Sequence, residues 1–235
     1  MTYQRGGRIL VSSQTPGRSR IRLLNSSSID FSILRAWLHF CQEMHTSKCI
    51  LLDKAQVPRM KLIDCNTRKF VPAMDRTYSA LSYCWGQANY QDTCVGDQLP
   101  SQLPATIEDA ITVNLGLGLE YLWIDRYCVD KGNAEHASDQ MRQMDLIYRN
   151  ADVTIIAVGG KGPEYGLPGV GSRARTLPTH IMRVENTALS NANETPSRWP
   201  SFLNRAPEDG PTKRLSSQDA VSSSSMSKYI MSVTE

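Results

Sequence analysis

The sequence predicts an α/β fold with a mostly parallel sheet and flanking helices. Three short apolar runs, at residues 78–83, 121–124 and 153–158, alternate with two helix-like segments. This alternation is typical of strand–helix–strand units in a parallel sheet. Polar residues or glycines follow each run, and ligands bind in open α/β sheets at the carboxyl ends of strands. The pattern therefore predicts both a fold class and the place where a site would lie.

The first 30 residues are predicted to be a disordered arm. No Asp or Glu precedes Asp30, whereas arginines and serines are frequent. Such a bias is also found in mitochondrial transit peptides. Gly6-Gly7 and Pro16-Gly17 argue against an amphipathic helix, so the disordered arm is the favoured interpretation.

A helix is predicted from Ile33 to about Thr46, because its apolar residues recur at helical spacing. Two short apolar runs follow, at 50–52 and 62–63, and they suit edge strands or loops that contact the core. A second helix begins at Pro104, which suits a first helical turn. Its predicted buried stripe consists of Ile107, Ala110, Ile111 and Leu115.

A third helix is predicted over residues 138–149, with an apolar face that contains Met141 and Met144. The run at 153–158 is apolar almost throughout and rich in β-branched residues. Such a run is typical of a central strand that is covered on both faces.

Composition excludes several classes of function. The chain has 235 residues and a net charge of +3, from 26 basic and 23 acidic residues. This balance does not favour a nucleic-acid or membrane-surface partner. No apolar run approaches the roughly 20 residues that span a bilayer, and the start lacks a secretory signal. The six cysteines have no CxxC pair, which predicts reduced thiols and a cytoplasmic location.

An ordered set of short motifs resembles the fungal heterokaryon-incompatibility (HET) domain. The matches cover roughly residues 33–175, and we predict a domain at 31–175 with its core at 78–170. Two positions depart from the family pattern: Lys131 replaces a common Gln, and Tyr127 replaces a hydrophobic residue. The motifs are Trp37-Leu38, Cys41, His45, Cys49, Pro58-Arg59, Leu62-Ile63-Asp64, Ala80-Leu81-Ser82-Tyr83, Trp85-Gly86, Leu103-Pro104, Ile107, Ala110, Tyr121-Leu122-Trp123-Ile124-Asp125, Cys128, Gln140, Met144, Ile147-Tyr148, Ala151 and Gly166-Leu167.

The resemblance implies a fungal protein of self/non-self recognition that triggers cell death when incompatible strains fuse. HET domains are considered similar to Toll/interleukin-1-receptor (TIR) domains, which implies a TIR-like three-layer architecture. Some TIR-like domains signal by self-association, and others cleave NAD with a carboxylate. We therefore expect homotypic HET-domain partners and no certain cofactor; NAD as a substrate is the alternative.

Four residues are candidates for a site. Asp125 follows an apolar strand and is the predicted catalytic carboxylate; the alternative is a structural Asp that accepts hydrogen bonds from the following loop. Glu135 is a second candidate, although a first-turn acid also favours the helix dipole. Trp85 and Gly86 are predicted to contact a nucleotide base or, alternatively, to form a turn with a core Trp.

The cysteines do not predict a reactive or metal-binding site. Cys128 would be a nucleophile only beside a base such as His136, and a packed thiol is favoured. Cys41, His45 and Cys49 invite a zinc interpretation. However, Cys41 and Cys49 would lie about 12 Å apart along a continuous helix, too far for one zinc ion with sulfur ligands near 2.3 Å. We therefore predict no metal site.

Residues 176–235 are predicted to be a disordered or out-of-frame tail. Ser, Asn, Pro and Thr dominate this region, which has no apolar periodicity. The family usually continues with a block close to RGWTYQE, which this frame does not contain. Residues 207–221 can be back-translated so that a shifted frame reads RGWTYQEALLSRRR. A frameshift would make this chain an inactive truncated fragment, and a disordered tail is the alternative.

Overall fold

A computed structural model describes residues 9–13, 25–44, 56–86, 94, 96–130, 132–176, 181–184, 187–191 and 230–233. The helices are α1 (Phe31–Met44), α2 (Ala105–Gly116), α3 (Asp125–Cys128), α4 (Ala134–Arg142) and α5 (Met144–Asn150). The strands are β1 (Ile9–Ser13), β2 (Lys61–Asp64), β3 (Lys69–Pro72), β4 (Tyr78–Ser82), β5 (Tyr121–Ile124), β6 (Val153–Ala157), β7 (Ile181–Val184), β8 (Thr187–Asn191) and β9 (Ile230–Val233). A 3-10 turn spans Pro163–Tyr165.

The main sheet has six strands in the order β3-β2-β5-β4-β6-β9. β5, β4, β6 and β9 run parallel to one another, whereas β2 pairs antiparallel with both β3 and β5. The three predicted strands are thus adjacent members of one sheet. The predicted α/β class with a mostly parallel sheet is confirmed, and the likeness to TIR domains stays a prediction. The run at 62–63 lies inside the sheet, in β2, rather than at an edge.

The central strands form the core. Their side chains are buried on both faces because α/β crossovers cover a parallel sheet on both sides. β4 contributes Ala80 and Leu81, β5 contributes Leu122, Trp123 and Ile124, and β6 contributes Ile155, all fully buried. The near-continuous apolar runs in the sequence follow from this burial.

Two helices differ from their predictions. The helix predicted over 138–149 is two helices, α4 and α5, which Gln143 separates with φ −106° and ψ 12°. In α2, Leu115 is exposed although we predicted it to be buried, whereas Val113 and the polar Asn114 are fully buried. The spacing of apolar residues could not reveal Asn114, because an amide is normally a surface group.

Asn114 is buried because its amide satisfies several core groups. Its Oδ1 accepts a hydrogen bond of 2.6 Å from the Ser79 hydroxyl, and its Nδ2 donates to the Leu119 carbonyl at 2.9 Å. The same nitrogen lies 3.2 Å from the Cys65 sulfur. Buried polar groups are tolerated when they are paired in this way. The network links β4, through Ser79, to the last turn of α2 and to Leu119, which lies just before β5.

Helix α1 docks on the C-terminal end of α2. Arg35 donates a hydrogen bond of 2.9 Å to the Gly116 carbonyl. A Cβ at Gly116 would lie 2.8 Å from the Phe31 ring, so this ring packs directly on the Gly116 backbone. Leu38 and Cys41 are buried, whereas Trp37, Phe40 and Met44 are exposed. We call these three exposed residues the outer stripe of α1.

Four strands lie in the regions for which we predicted no regular structure. β1, β8 and β7 form a three-stranded antiparallel sheet, and β9 pairs with the outer edge of β6. These strands have four or five residues each, too few for periodicity to identify. The domain boundaries at 30 and 175 stay predictions, and the run at 50–52 lies outside the described residues.

Candidate functional site

The candidate site lies where two parallel strands end side by side. Leu81 near the end of β4 is in register with Ile124, the last residue of β5. The chain continues from β4 into Trp85 and from β5 into Asp125. Because the strands are parallel, these two residues emerge at the same edge of the sheet. The strand pattern predicted this juxtaposition.

Trp85 and Asp125 are joined directly. The indole Nε1 of Trp85 lies 3.2 Å from each carboxylate oxygen of Asp125 and donates to both. Asp125 is half-buried and Trp85 is 37% exposed, so the contact faces solvent. The carboxylate is therefore both oriented by the indole and accessible to a ligand.

Asp125 also contacts the backbone of its own helix. Its Oδ1 accepts a hydrogen bond of 2.7 Å from the N–H of Arg126. This bond is the kind expected of a structural Asp that accepts hydrogen bonds from the following backbone. The bond to the Trp85 indole is a further contact, which that interpretation does not require. The guanidinium carbon of Arg126 lies 5.9 Å from the centre of the Trp85 ring, near the outer limit of a cation–π contact.

Gly86 fixes the position of the Trp85 loop. It has φ +69°, a conformation that side chains other than glycine rarely adopt. A Cβ here would lie 3.0 Å from the Gly162 Cα and 3.1 Å from the Lys161 carbonyl oxygen. The loop after β4 thus packs against the loop after β6. The absence of a side chain at Gly86 allows the two loops to lie this close together. The predicted contact of Gly86 with a ligand stays a prediction.

Tyr148 lies beneath the site, and the sequence analysis gave it no role there. Its hydroxyl donates to the Leu81 carbonyl at 3.3 Å, and its ring meets that of Trp123 edge to face at 5.4 Å. Burial raises the pKa of Tyr148, and the negative charge of Asp125 acts in the same direction. The phenol stays protonated at neutral pH and supports the strand end rather than acting as a base. Helical periodicity marked Tyr148 simply as apolar.

Glu135 is not brought to this site by any described contact. It lies exposed in the first turn of α4. In the part of the chain that the structure describes, no hydrogen bond or ion pair links it to Asp125 or Trp85. The catalytic role of Glu135 stays a prediction. Its exposed position in the first turn of α4 does not favour that role.

Cys128 has the surroundings of a packed thiol. It is fully buried, and its sulfur accepts a hydrogen bond of 3.4 Å from the Ile124 N–H. Burial raises the pKa of Cys128 to about 12. Since the thiolate is the nucleophile, such a thiol is inert at neutral pH.

The zinc interpretation of Cys41, His45 and Cys49 gains no support. Cys41 is buried in α1, whereas His45 and Cys49 lie outside the described residues. Among the side chains that the structure describes, no group of three or more His, Cys, Asp or Glu could hold a metal ion. Of the two positions that depart from the family pattern, Lys131 lies outside the described residues and Tyr127 is buried.

A cavity of about 480 Å³ is lined by none of the predicted site residues. It lies between the start of α2 and the loop at 164–174. Asp109 on its wall accepts a hydrogen bond of 2.6 Å from the Leu167 N–H, and burial raises the pKa of Asp109. Arg173 stacks 3.9 Å over the Tyr165 ring and donates to the Tyr165 carbonyl at 2.8 Å. The Asp109 bond holds the loop on α2, and the Arg173 contacts lie within the loop. Both contacts thus have a structural role, so we place the candidate chemistry at Asp125 instead.

The fold and the site together define an α/β domain with an oriented carboxylate at the carboxyl edge of a parallel sheet. The family model of the heterokaryon incompatibility protein (HET) matches residues 78–224, more than half of the chain. The chain therefore belongs to the HET family. The match includes β4, β5 and β6 and extends past the predicted boundary at 175.

No curated protein and no solved structure matches the chain significantly. In the described part of the chain, no helix has both the length and the apolar character needed to cross a membrane.

Proposed function

We propose that this chain acts in fungal non-self recognition and signals cell death by self-association. Membership of the HET family supports the link to heterokaryon incompatibility. The observation that carries self-association is the outer stripe of α1. Trp37, Phe40 and Met44 are 65%, 57% and 65% exposed and lie on one helix. Contiguous apolar surface of this kind is typical of protein–protein contact sites.

Expression in a living cell tests this function. We expect inducible expression of the full chain in fungal cells to reduce viability. A variant with Trp37→Ser and Met44→Ser, expressed at the same level, should leave cells viable. Cells that survive expression of the folded wild-type chain would contradict the proposal and support the inactive-fragment alternative.

A second candidate function is cleavage of NAD at the nicotinamide–ribose bond. The contact between Trp85 and Asp125 favours it, because it presents an oriented carboxylate beside an exposed aromatic ring. In this function water replaces nicotinamide on the ribose carbon. Asp125 would act as a base on that water or stabilise the positive charge that develops on the ribose as nicotinamide leaves. The Trp85 ring would lie near a base of the dinucleotide.

Nicotinamide release by the purified chain tests this second function. We expect Asp125→Asn to lower the rate by about 100-fold or more, in the range for a lost acid–base group. Glu135→Gln is the matched control, since Glu135 is an exposed carboxylate without a described contact to the site. Equal rates in wild type and Asp125→Asn would rule out the assignment of Asp125.

A further inference from the structure

The surface of α1 divides into three sectors. At 100° per residue, the residues of the outer stripe lie within about 60° of one another. Leu34 and Leu38 occupy the adjoining sector and pack in or against the core, and Cys41 is buried between the two sectors. The charged and polar residues Arg35, His39, Gln42 and Glu43 occupy the opposite side. The apolar part of the helix is thus about twice as wide as the part that the core covers.

The charged side chains of α1 do not lie on the outer stripe. His39 Nε2 and Glu43 Oε1 are 3.5 Å apart within the helix, and Arg35 donates to the Gly116 carbonyl. A partner that approaches the stripe therefore finds no counter-charge on this helix. The stripe favours an apolar partner with large side chains at the same spacing, and another α1 has these properties.

We propose that the outer stripe pairs with the outer stripe of a second copy of this chain, with the two α1 helices antiparallel. Phe40 lies near the two-fold axis, and Trp37 of each copy faces Met44 of the other. Such an interface is isologous, because residue i contacts residue j in both directions. Contacts between methionine sulfur and aromatic rings are favourable. This inference rests on the proposed function and names the surface that mediates it.

The size of the stripe predicts a reversible pair. A large side chain of this kind buries about 150–250 Å² when it is fully covered. With roughly three fifths of each side chain exposed, the stripe offers about 300–450 Å² per copy. Stable interfaces bury about 800 Å² per partner. The pair should therefore form at high local concentration and dissociate on dilution, as a triggered signal requires.

Sedimentation velocity of the full chain over a wide concentration range tests the proposal. We expect the weight-average sedimentation coefficient to rise with concentration. Trp37→Ser with Met44→Ser should shift this rise at least tenfold to higher concentration. Gln42→Ser is the control, because Gln42 is exposed on the opposite side of the same helix. Circular dichroism of each variant establishes that it is folded.

A cross-linking experiment tests the geometry independently. Phe40→Cys should give a covalent dimer with a short thiol cross-linker, because each Phe40 lies near the two-fold axis. Gln42→Cys should give no dimer beyond that of wild type, whose exposed Cys84 sets the background. Cross-linking of Gln42→Cys and not of Phe40→Cys would overturn the antiparallel pairing.

The outcomes separate this surface from the proposed function. If wild type and the stripe variant associate equally, the assignment of the outer stripe as the contact surface is wrong, whereas signalling by self-association stands. If wild type stays monomeric at every concentration, both proposals fail.

Discussion

The indole nitrogen of Trp85 lies 3.2 Å from both carboxylate oxygens of Asp125, although 40 residues separate them in the chain. The parallel pairing of β4 with β5 produces this contact, since both strands end at the same edge. It is the one contact that joins two predicted site residues among those the structure describes.

We predict that loss of the Asp125 carboxylate increases the solvent exposure of the Trp85 ring. Asp125→Ala removes both acceptors of the indole N–H, so Trp85 should become more exposed and its fluorescence should shift to longer wavelength. The measurement is the difference between emission spectra with and without Trp85→Phe, which isolates Trp85 from the other tryptophans. Glu135→Ala should leave this difference spectrum unchanged. An unchanged spectrum in Asp125→Ala would mean that the contact does not hold the ring.

We predict that the Asn114 network stabilises the fold. Asn114→Leu leaves the buried Ser79 hydroxyl and the part-buried Leu119 carbonyl without the amide that pairs with them. A buried group left unsatisfied costs about 1–3 kcal/mol, so the free energy of unfolding should fall by about this amount in urea titrations. Thr112→Ala, at an exposed position of the same helix, should change it by less than about 0.5 kcal/mol. A double-mutant cycle with Ser79→Ala should show coupling.

We predict that stability falls at alkaline pH because of two buried thiols. Burial raises the pKa of Cys65 and of Cys128 from 9.0 to about 12. Between these values the unfolded chain loses the two protons while the folded chain keeps them. The free energy of unfolding should therefore fall as pH rises from 9 to 12, by up to about 1.4 kcal/mol per pH unit for each thiol.

Denaturant titrations across this pH range measure the slope. Cys128→Ala should make the slope shallower than that of wild type. The buried Tyr78 and the half-buried Tyr148 have raised pKa values and add to the fall above pH 10. A slope that is identical with and without Cys128 would show that its thiol ionises equally in both states.

We predict that the gene encodes the RGWTYQE-like block in a shifted frame at codons 207–221. The family match extends to residue 224 and includes these residues in the frame as written, so the hypothesis needs a direct test. Transcript sequencing across codons 199–221 provides it. A spliced message that restores the block would confirm an out-of-frame tail. A message that encodes the tail as written, with no codons that spell the block in any frame, would refute the frameshift.

The strands and the site edge could be predicted because burial leaves a strong pattern. β4, β5 and β6 are apolar runs with polar residues or glycines after them, so their parallel arrangement and the position of Asp125 followed from the sequence. The contacts of Tyr148 and Asn114 could not be predicted in this way. Each has a polar group in or against the core that pairs with a partner distant in the chain, Leu81 for Tyr148 and Ser79 for Asn114. Periodicity carries no information about such pairing. The division between α4 and α5 depends on the backbone of Gln143, a residue with no strong helix-breaking tendency.

The most direct test of the central claim is forced association in a living cell. The full chain, fused to a domain that dimerises on addition of a small molecule, is expressed in fungal cells at a level that leaves them viable. We predict that adding the dimeriser kills these cells, and also kills cells that express the Trp37→Ser, Met44→Ser variant, because the fused domain replaces the lost surface. Unchanged viability of both after dimerisation of the folded chain would contradict signalling by self-association.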